Sequence, residues 1–344
     1  MKTLLNSFVG LLLLLTVYTG QAQAILRCNN VGVTGTGIFA TLQAAHDAAA
    51  NGDIIYLEPS SLSYGDLVCV KPLTIIGNGY LHAERTPPLT ADPRPSAVDV
   101  VSFRLGSAGS RITGVTVNSR VVVNATNIVV ERNRISGSGM NIGTEAFVTG
   151  VGAVITSGII RQNLIEGELT FRTGSGTSIS GVLVDNNIII GNISGGNSSI
   201  VNGVLISNNV IGNRIGNSGG SIDVDNCVLK NNIVTRAAAV VAPRSNAFSN
   251  NLGTGTQFGA SSGNQQNVAL ATIFGSATDS ETQFEIAVGG PADNTGESGA
   301  DCGVFGGGRP YILAGLPNVP TIFEYSQAVS GTTMNATIST RSNK

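Results

Sequence analysis

The stretch Leu183-Val184-Asp185-Asn186-Asn187-Ile188-Ile189 recurs 22 residues later as Leu205-Ile206-Ser207-Asn208-Asn209-Val210-Ile211. Four further segments between residues 129 and 252 follow the same order of apolar residues, a polar group and apolar residues. The polar group of each copy ends in an asparagine, and these asparagines are 30, 24, 22, 23 and 19 residues apart: Asn133, Asn163, Asn187, Asn209, Asn232 and Asn251. The chain therefore contains a repeat of about 22 residues.

Each copy of the repeat predicts a short strand, a tight polar corner and a second short strand. A unit of this length cannot bury its own apolar face, so successive units must stack, with equivalent strands paired in parallel about 4.8 Å apart. The asparagines then stack as well. An asparagine tolerates left-handed backbone at a corner, and its amide can bond to the coils above and below. We therefore predict a β-solenoid with an asparagine ladder.

Two runs outside the repeat carry a family resemblance. Residues 39–57 (FATLQAAHDAAANGDIIYL) are similar to the entry segment of secreted right-handed parallel β-helix proteins of the pectate-lyase-like superfold. Residues 301–311 (DCGVFGGGRPY) resemble the closing segment of a group of exported bacterial β-helix proteins. The resemblance implies an all-β fold, a right-handed parallel β-helix with an N-terminal capping helix and a C-terminal capping segment. It implies no particular activity.

The ends of the chain predict export. Residues 1–24 have the features of a secretory signal peptide, with Lys2, the apolar run Leu11–Leu15 and a small-x-small site at Ala22-Gln23-Ala24. No later segment is apolar enough to span a membrane. We expect an extracellular or periplasmic protein, and attachment to the cell surface stays open.

The remainder, residues 25–344, reads as a single domain. Residues 25–52 form the N-terminal cap, residues 53–260 the coils and residues 261–344 the C-terminal cap. The proline-rich stretch 82–96 is a loop, because proline cannot donate to a strand ladder. Phe274 and Phe284 are expected to anchor the C-terminal cap, and residues 301–340 are expected to fold over the last coil, which would otherwise expose strand edges.

Composition excludes several classes of function. The 344 residues are 42% hydrophobic and 12% charged, which is too apolar for a disordered chain. A net charge of −2 provides no basic surface for nucleic acid. The chain has two histidines and no tryptophan, which leaves few metal ligands and few aromatic platforms for sugars. We expect a folded domain that does not bind nucleic acid.

The cysteines leave two readings open. Cys28 and Cys69 flank the first structural unit, and a disulfide between them would close a loop of 41 residues in an exported protein. Unpaired thiols are the alternative, and Cys227 has the position of a small core residue.

Three groups of polar residues are candidate sites. Asp223 and Asp225 alternate with apolar residues, so both carboxylates face outward, about 7 Å apart. They suit either Ca²⁺ binding or acid–base chemistry, with Lys230 as the nearest base. Glu166, Glu168, Thr170 and Arg172 form a second outward cluster. The third is a column that alternates in charge and faces outward before the asparagines: Glu131, Arg161, Asp185, Ser207, Lys230 and Ser249.

Each of these groups also has a plain interpretation as a solvated polar face, and the charged column as a surface charge ladder. Arg161, Glu166, Glu168 and Arg172 are the candidates for carbohydrate contact. The catalytic patterns of pectate lyases and polygalacturonases are missing: there is no Gly-His-Gly element and no histidine after residue 82.

Three hypotheses of function follow. The first is a secreted, non-catalytic β-helix with a surface, matrix or carbohydrate-contacting role, which needs no cofactor. The second is a polysaccharide lyase, dependent on Ca²⁺, or a glycoside hydrolase with an atypical site at Asp223, Asp225 and Lys230. Dispersal of these three side chains around the coil would argue against it. The third is an adhesin, which predicts an exposed apolar or Thr/Asn-rich face and self-association. The sequence does not determine the oligomeric state.

Overall fold

The computed structural model describes residues 23–87, 89–143, 154–172, 177–195, 201–214 and 218–343. The predicted signal peptide therefore lies, except for Gln23 and Ala24, outside the described residues. The first fourteen strands are β1 (Ile25–Cys28), β2 (Ile38–Phe39), β3 (Ile54–Leu57), β4 (Leu67–Cys69), β5 (Thr74–Ile76), β6 (Ala97–Phe103), β7 (Arg111–Thr113), β8 (Thr116–Val123), β9 (Val129–Glu131), β10 (Arg134–Ile135), β11 (Gly139–Gly143), β12 (Val154–Thr156), β13 (Ile159–Arg161) and β14 (Leu164–Ile165).

The remaining strands are β15 (Glu168–Arg172), β16 (Ser178–Ser180), β17 (Leu183–Asp185), β18 (Ile188–Ile189), β19 (Ile193–Ser194), β20 (Val201–Asn202), β21 (Val204–Ser207), β22 (Val210–Ile211), β23 (Ile222–Asp223), β24 (Cys227–Lys230), β25 (Ile233–Val234), β26 (Ala247–Ser249), β27 (Leu252–Gly253), β28 (Thr321–Ser330) and β29 (Thr333–Arg341). The helices are α1 (Leu42–Ala48) and α2 (Leu270–Ile273), with single 3₁₀ turns at His82–Glu84, Thr282–Phe284, Glu297–Gly299 and Leu313–Gly315. Within the described part of the chain, no helix is long and apolar enough to cross a bilayer.

The strands form a right-handed parallel β-helix. In the described residues, sheet A has eleven strands in the order β2-β1-β3-β5-β7-β9-β13-β17-β21-β24-β26. Sheet B has thirteen strands, in the order β23-β19-β15-β11-β8-β10-β14-β18-β22-β25-β27, with β6 joining β4 to β8. Sheet C has the order β12-β16-β20. The long strand β8 pairs with β10 through its first half and with β11 through its second half, so sheet B turns a corner. The predicted fold class is confirmed.

The core of the β-helix is built from stacked apolar columns. Inward positions of sheet B align in register from coil to coil, and all are buried: Leu67, Val101, Val121, Met140, Leu169, Ile193 and Ile222. On sheet A, the residues predicted to face inward, such as Val130, Val184 and Leu229, are likewise buried. Side chains of similar shape stacked at the strand spacing fill the interior without gaps, which is why the short strands alternate apolar and polar residues.

Helix α1 closes the N-terminal end, as predicted. Thr41 caps it by accepting a hydrogen bond from the backbone N–H of Ala44, and Leu42 and Ala45 are fully buried. Lys71 donates to the last carbonyls of the helix, including that of Ala49. His46 is 2% exposed, and its Nε2 accepts a hydrogen bond from the backbone N–H of Val70.

We expected one asparagine at each corner both to have left-handed backbone and to bond to the neighbouring coils, but two adjacent residues share these roles. The left-handed residue is the one before each repeat asparagine, with φ between 52° and 57°: Arg132, Gln162, Asn186, Asn208, Asn231 and Asn250. We call these six residues the corner column. The repeat asparagines themselves do not have left-handed backbone and instead point inward at the corner. The prediction of a left-handed asparagine was therefore wrong by one position.

We expected residues 301–340 to fold over the last coil, and the structure shows that they do not. Residues 295–316, which we call the returning segment, run back along the outside of the β-helix, and their carbonyls accept hydrogen bonds from four of the six corner residues. Asn250 donates to Thr295 O, Asn186 to Val304 O and Gly306 O, Gln162 to Pro310 O, and Arg132 to Leu316 O. A second apolar cluster seals this segment against sheet B, and it includes Phe274 and Phe284, which confirms both anchors.

Candidate functional site

The six repeat asparagines form a buried ladder, as predicted. Each is 0% exposed. Asn187 is representative: its Nδ2 donates to Ile160 O at 2.9 Å and to Asn209 Oδ1 at 3.0 Å, and its Oδ1 accepts from the backbone and amide of Asn163. Asn264 adds one more rung beyond Asn251, which the repeat pattern did not reveal because no strand precedes it. The ladder is a structural feature and is closed to ligands.

The outer face of sheet B carries an open set of polar side chains, which we call the polar strip: Glu168, Thr170, Arg172, Asn192, Ser194 and Asp223. These residues lie on β15, on β19 or just before it, and on β23. They alternate with the buried side chains of Leu169, Phe171 and Ile193. Neighbouring strands in such a sheet are about 4.8 Å apart, and outward residues of one strand are about 7 Å apart.

Hydrogen bonds between strands hold the polar strip in place. Asn192 Nδ2 donates to Glu168 Oε1 at 3.0 Å, and Ser194 Oγ donates to Thr170 Oγ1 at 3.2 Å. Asp223 forms an ion pair with Arg244 at 2.9 Å. The strip therefore presents fixed hydroxyl, amide, carboxylate and guanidinium groups on a flat surface. These groups can donate to and accept from a polyhydroxylated ligand.

The three proposed catalytic residues do not converge. Asp223 lies on sheet B, Asp225 lies in the bend that follows, and Lys230 lies on sheet A. Lys230 forms an ion pair with Glu297 of the returning C-terminal segment. The three side chains are therefore dispersed around the coil, which argues against a catalytic site.

Asp223 and Asp225 also do not fit a Ca²⁺ site. Ca²⁺ takes six to eight oxygen ligands. Asp223 is engaged by Arg244, and Asp225 Oδ1 accepts from the backbone of Asn226. Among the described residues there is no group of three or more His, Cys, Asp or Glu side chains arranged to hold a metal ion.

The other candidates are divided between two surfaces. Glu168 and Arg172 belong to the polar strip, where Arg172 Nε donates to Asn141 Oδ1 at 3.0 Å. Glu166 lies after β14 and pairs with Arg134 at 2.8 Å. Arg161 lies on sheet A and pairs with Glu131 at 2.6 Å. Only part of the predicted carbohydrate cluster therefore shares one face.

The charged column of sheet A faces outward, as predicted, but much of it is buried. Glu131 is 1% exposed and pairs with both Arg111 and Arg161. Asp185 accepts from Ser207 Oγ at 2.8 Å and from Asn208 Nδ2 at 3.0 Å. These groups satisfy one another, so the column stabilises the fold and is not an open binding surface.

The disulfide between Cys28 and Cys69 is absent. All four cysteines are described, and all are free and buried. Cys69 Sγ contacts Lys71 O at 3.2 Å, whereas Cys28 Sγ contacts Thr41 O at 3.7 Å, so each thiol has its own partner. Burial raises the pKa of the Cys28 and Cys227 thiols to about 12. A buried, protonated thiol is a poor nucleophile, so these cysteines act as core residues.

One buried polar cluster was not expected from the sequence. Glu281 is 0% exposed, accepts hydrogen bonds from Tyr311 Oη at 2.8 Å and from the backbone of Ala314, and pairs with Arg85. Tyr311 also bonds to Tyr80 at 2.7 Å. Burial raises the pKa of the Glu281 carboxyl. The residues of this buried cluster are up to 231 positions apart in the chain, so no local pattern predicts the cluster. The cluster links the C-terminal part of the chain to the first coils through hydrogen bonds and an ion pair.

Comparison with known proteins does not identify a function. No family model and no curated protein matches the chain. A similar solved structure is the crystal structure of pectate lyase Pel9A, at 13% sequence identity, covering 83% of this chain and 96% of that chain with a TM-score of 0.42. At this level of similarity the neighbour says nothing about the activity of this chain.

Proposed function

We propose that this chain is an exported, non-catalytic β-helix protein that contacts carbohydrate through the polar strip of sheet B. The observation that carries the proposal is the set of hydrogen-bonded polar groups on the open face of β15, β19 and β23. Sugar hydroxyls donate and accept, so a surface that offers both, already oriented, binds them with little loss of side-chain freedom.

The non-catalytic part of the proposal rests on the separation of Asp223 from Lys230. An acid, a base and a metal act together only when they reach the same few atoms of the substrate. Here the candidates lie on different sheets, and each has a partner of opposite charge.

The first test is binding of the mature chain, from Ile25 onward, to an array of uronate-containing and neutral polysaccharides. Thr170→Leu should abolish binding, because it removes a hydroxyl from the centre of the polar strip. The matched control is Thr74→Leu, which makes the same change on the outer face of sheet A. Loss of binding in both variants, or in neither, would refute the role of the strip.

A second test addresses catalysis directly. The same polysaccharides are incubated with the chain with and without Ca²⁺, and both the absorbance of unsaturated uronates and the released reducing ends are followed. We expect neither to rise. Absorbance that rises only with Ca²⁺ would identify a lyase, and reducing ends without absorbance would identify a hydrolase. Either result would replace the non-catalytic proposal.

A further inference from the structure

Strands β28 and β29 form an antiparallel hairpin that stands apart from the β-helix. Its residues pair from Thr321 with Arg341 to Ser330 with Thr333, and among the described residues neither strand pairs with any other. In the described part of the chain, the hairpin is hydrogen-bonded to the body near its base. There, the backbone N–H of Ala91 donates to Ile322 O at 2.9 Å, and Arg341 donates to Leu89 O at 2.8 Å.

The two faces of this hairpin differ in chemistry. Three cross-strand pairs share what we call the apolar hairpin face: Tyr325 with Ile338, Gln327 with Ala336, and Val329 with Met334. The opposite face carries Glu324 with Ser339, Ser326 with Thr337, and Ala328 with Asn335. The four large apolar side chains are between 53% and 72% exposed. An isolated two-stranded hairpin is marginally stable in water, so this face needs a partner.

A groove of about 500 Å³ lies between the base of the hairpin and the first coils. Tyr325 and Ile322 line it on the hairpin side, and Tyr56 and Pro59 line it on the body side. The groove is therefore continuous with the apolar hairpin face and extends that face towards the β-helix.

We propose that the apolar hairpin face is a dimer interface, occupied by the same face of a second copy of this chain. The face carries no charged residue, and Asp92, which lines the groove, is paired with Arg94, so two copies can meet without repulsion. A two-fold axis through the Gln327–Ala336 pair places the Val329–Met334 pair of one copy over the Tyr325–Ile338 pair of the other. Ala336 is the smallest side chain on the face and lies at that axis. The tip of each hairpin then enters the groove of the other copy, as an isologous contact requires.

The available area predicts a weak dimer. A large apolar side chain offers roughly 100 Å² for burial. Four such side chains on each copy, together with the groove, bring the total towards the lower end of specific interfaces, about 1,200 Å². We expect association in the micromolar range that depends on protein concentration.

The test is sedimentation equilibrium of the mature chain from low micromolar to several hundred micromolar concentration. Wild type should shift from monomer to dimer. Val329→Glu should weaken association at least about tenfold, because it places two like charges in the buried interface. Ser326→Glu is the matched control: it adds the same charge to the opposite face of the same hairpin and should leave association unchanged.

The outcomes decide between the alternatives. A wild type that stays monomeric at every concentration overturns the proposal, as does a dimer that Val329→Glu does not weaken or that Ser326→Glu weakens equally. Tyr56→Ser tests the groove separately and should weaken the dimer without touching the hairpin. An unchanged dimer in that variant would exclude the two-fold arrangement described here. Circular dichroism of each variant verifies that the β-helix is intact.

Discussion

At each of the six repeat corners of the β-helix two polar residues stand next to each other in the chain, and they are bonded in different ways. The inner one, in the asparagine ladder, bonds to the coils above and below; Asn187, for example, contacts Asn163 and Asn209. The outer one, in the corner column, bonds at five of the six corners to the returning C-terminal segment; Asn186, for example, donates to Val304 O and Gly306 O.

The difference explains why the inner position is uniform and the outer one is not. The inner position is asparagine in all six repeats, because a coil above and a coil below use both its donor and its acceptor. The outer position is filled by Arg132, by Gln162 and by four asparagines, because its partners differ from corner to corner. Four of these residues donate to carbonyls of the returning segment, whereas Asn231 accepts from the backbone N–H of Glu297 and Asn208 donates to Asp185 Oδ1. Repetition in the fold therefore constrains the residue more strictly than a tertiary contact does.

The largest expected effect comes from breaking the inner column. Asn187→Ala removes the bonds to Asn163, to Asn209 and to Ile160 O, and it leaves buried groups without partners. We expect the free energy of unfolding to fall by about 3 to 5 kcal/mol. Denaturant unfolding measures this change. Asn192→Ala is the control: it removes a half-buried amide of the polar strip that bonds to Glu168 Oε1 and to the backbone N–H of Ser221, and it should cost only about 1 kcal/mol. Equal losses would contradict the comparison.

A smaller effect is expected at the outer column. Asn186→Gly removes the two bonds to the returning segment but suits the left-handed backbone at φ 52°, so it should cost about 1 to 2 kcal/mol. Asn186→Ala should cost about 1 kcal/mol more, because alanine is strained in that conformation. Thermal and denaturant unfolding of the two variants separate the contribution of the two hydrogen bonds from the cost of the left-handed backbone. If glycine proved the worse residue, the corner would not be left-handed in solution.

The cysteines sharpen the comparison, because Cys227 lies in the body and Cys302 on the returning segment, where its Sγ contacts Asn250 O. Burial raises the pKa of the Cys227 thiol to about 12. At pH 9, the ordinary pKa of this group, its reactive thiolate fraction is roughly 500-fold lower than in the unfolded chain. The stability that this shift contributes is present below pH 9 and is lost as the pH rises towards 12.

Alkylation in native buffer should therefore be slow for all thiols, and Cys302 should react before Cys227, since its segment can open without unfolding the coils. Mass spectrometry of the labelled peptides measures the order. In denaturant, without reductant, four thiols should react. If only two thiols reacted, a disulfide would be present, and the predicted pair of Cys28 and Cys69 would again be the candidate.

The smallest effect is expected where the returning segment meets the surface of sheet A. Lys230→Met removes the ion pair with Glu297, whose side chain is largely exposed. Such pairs contribute at most about 1 kcal/mol, and less at high salt. Denaturant unfolding at low and high salt measures it. A loss of several kcal/mol would show that this contact, and not the corner column, holds the returning segment.

Much of the fold was predictable, and the reasons are local. The six asparagines, the apolar columns and the capping helix follow from spacing and alternation, because each coil repeats the chemistry of the one before. The polar strip was predictable in part: Glu168, Thr170, Arg172 and Asp223 alternate with apolar residues. Asn192 and Ser194 were missed because amides and hydroxyls carry no distinctive spacing, and they are recognised only once β19 pairs with β15.

Other features depend on contacts that no local pattern encodes. Asp223 and Lys230 are seven residues apart, yet a corner with left-handed Asn226 directs them to different sheets. Arg85 and Glu281 are 196 residues apart, and they meet only because the C-terminal segment returns along the whole β-helix. We predicted the wrong path for that segment because the sequence of the corner residues, which bind it, is typical of solvent-exposed turns.

The sequence by itself determined that this chain is a stacked parallel β-solenoid, because its period, its alternation and its asparagines each demand a neighbouring coil of the same kind. The tertiary structure alone decided which polar residues remain open to a ligand. Charge and spacing describe a side chain's chemistry, but its freedom depends on what packs against it. Glu131 and Asp185 are satisfied by partners from other coils, whereas no described residue covers the polar strip or the apolar hairpin face.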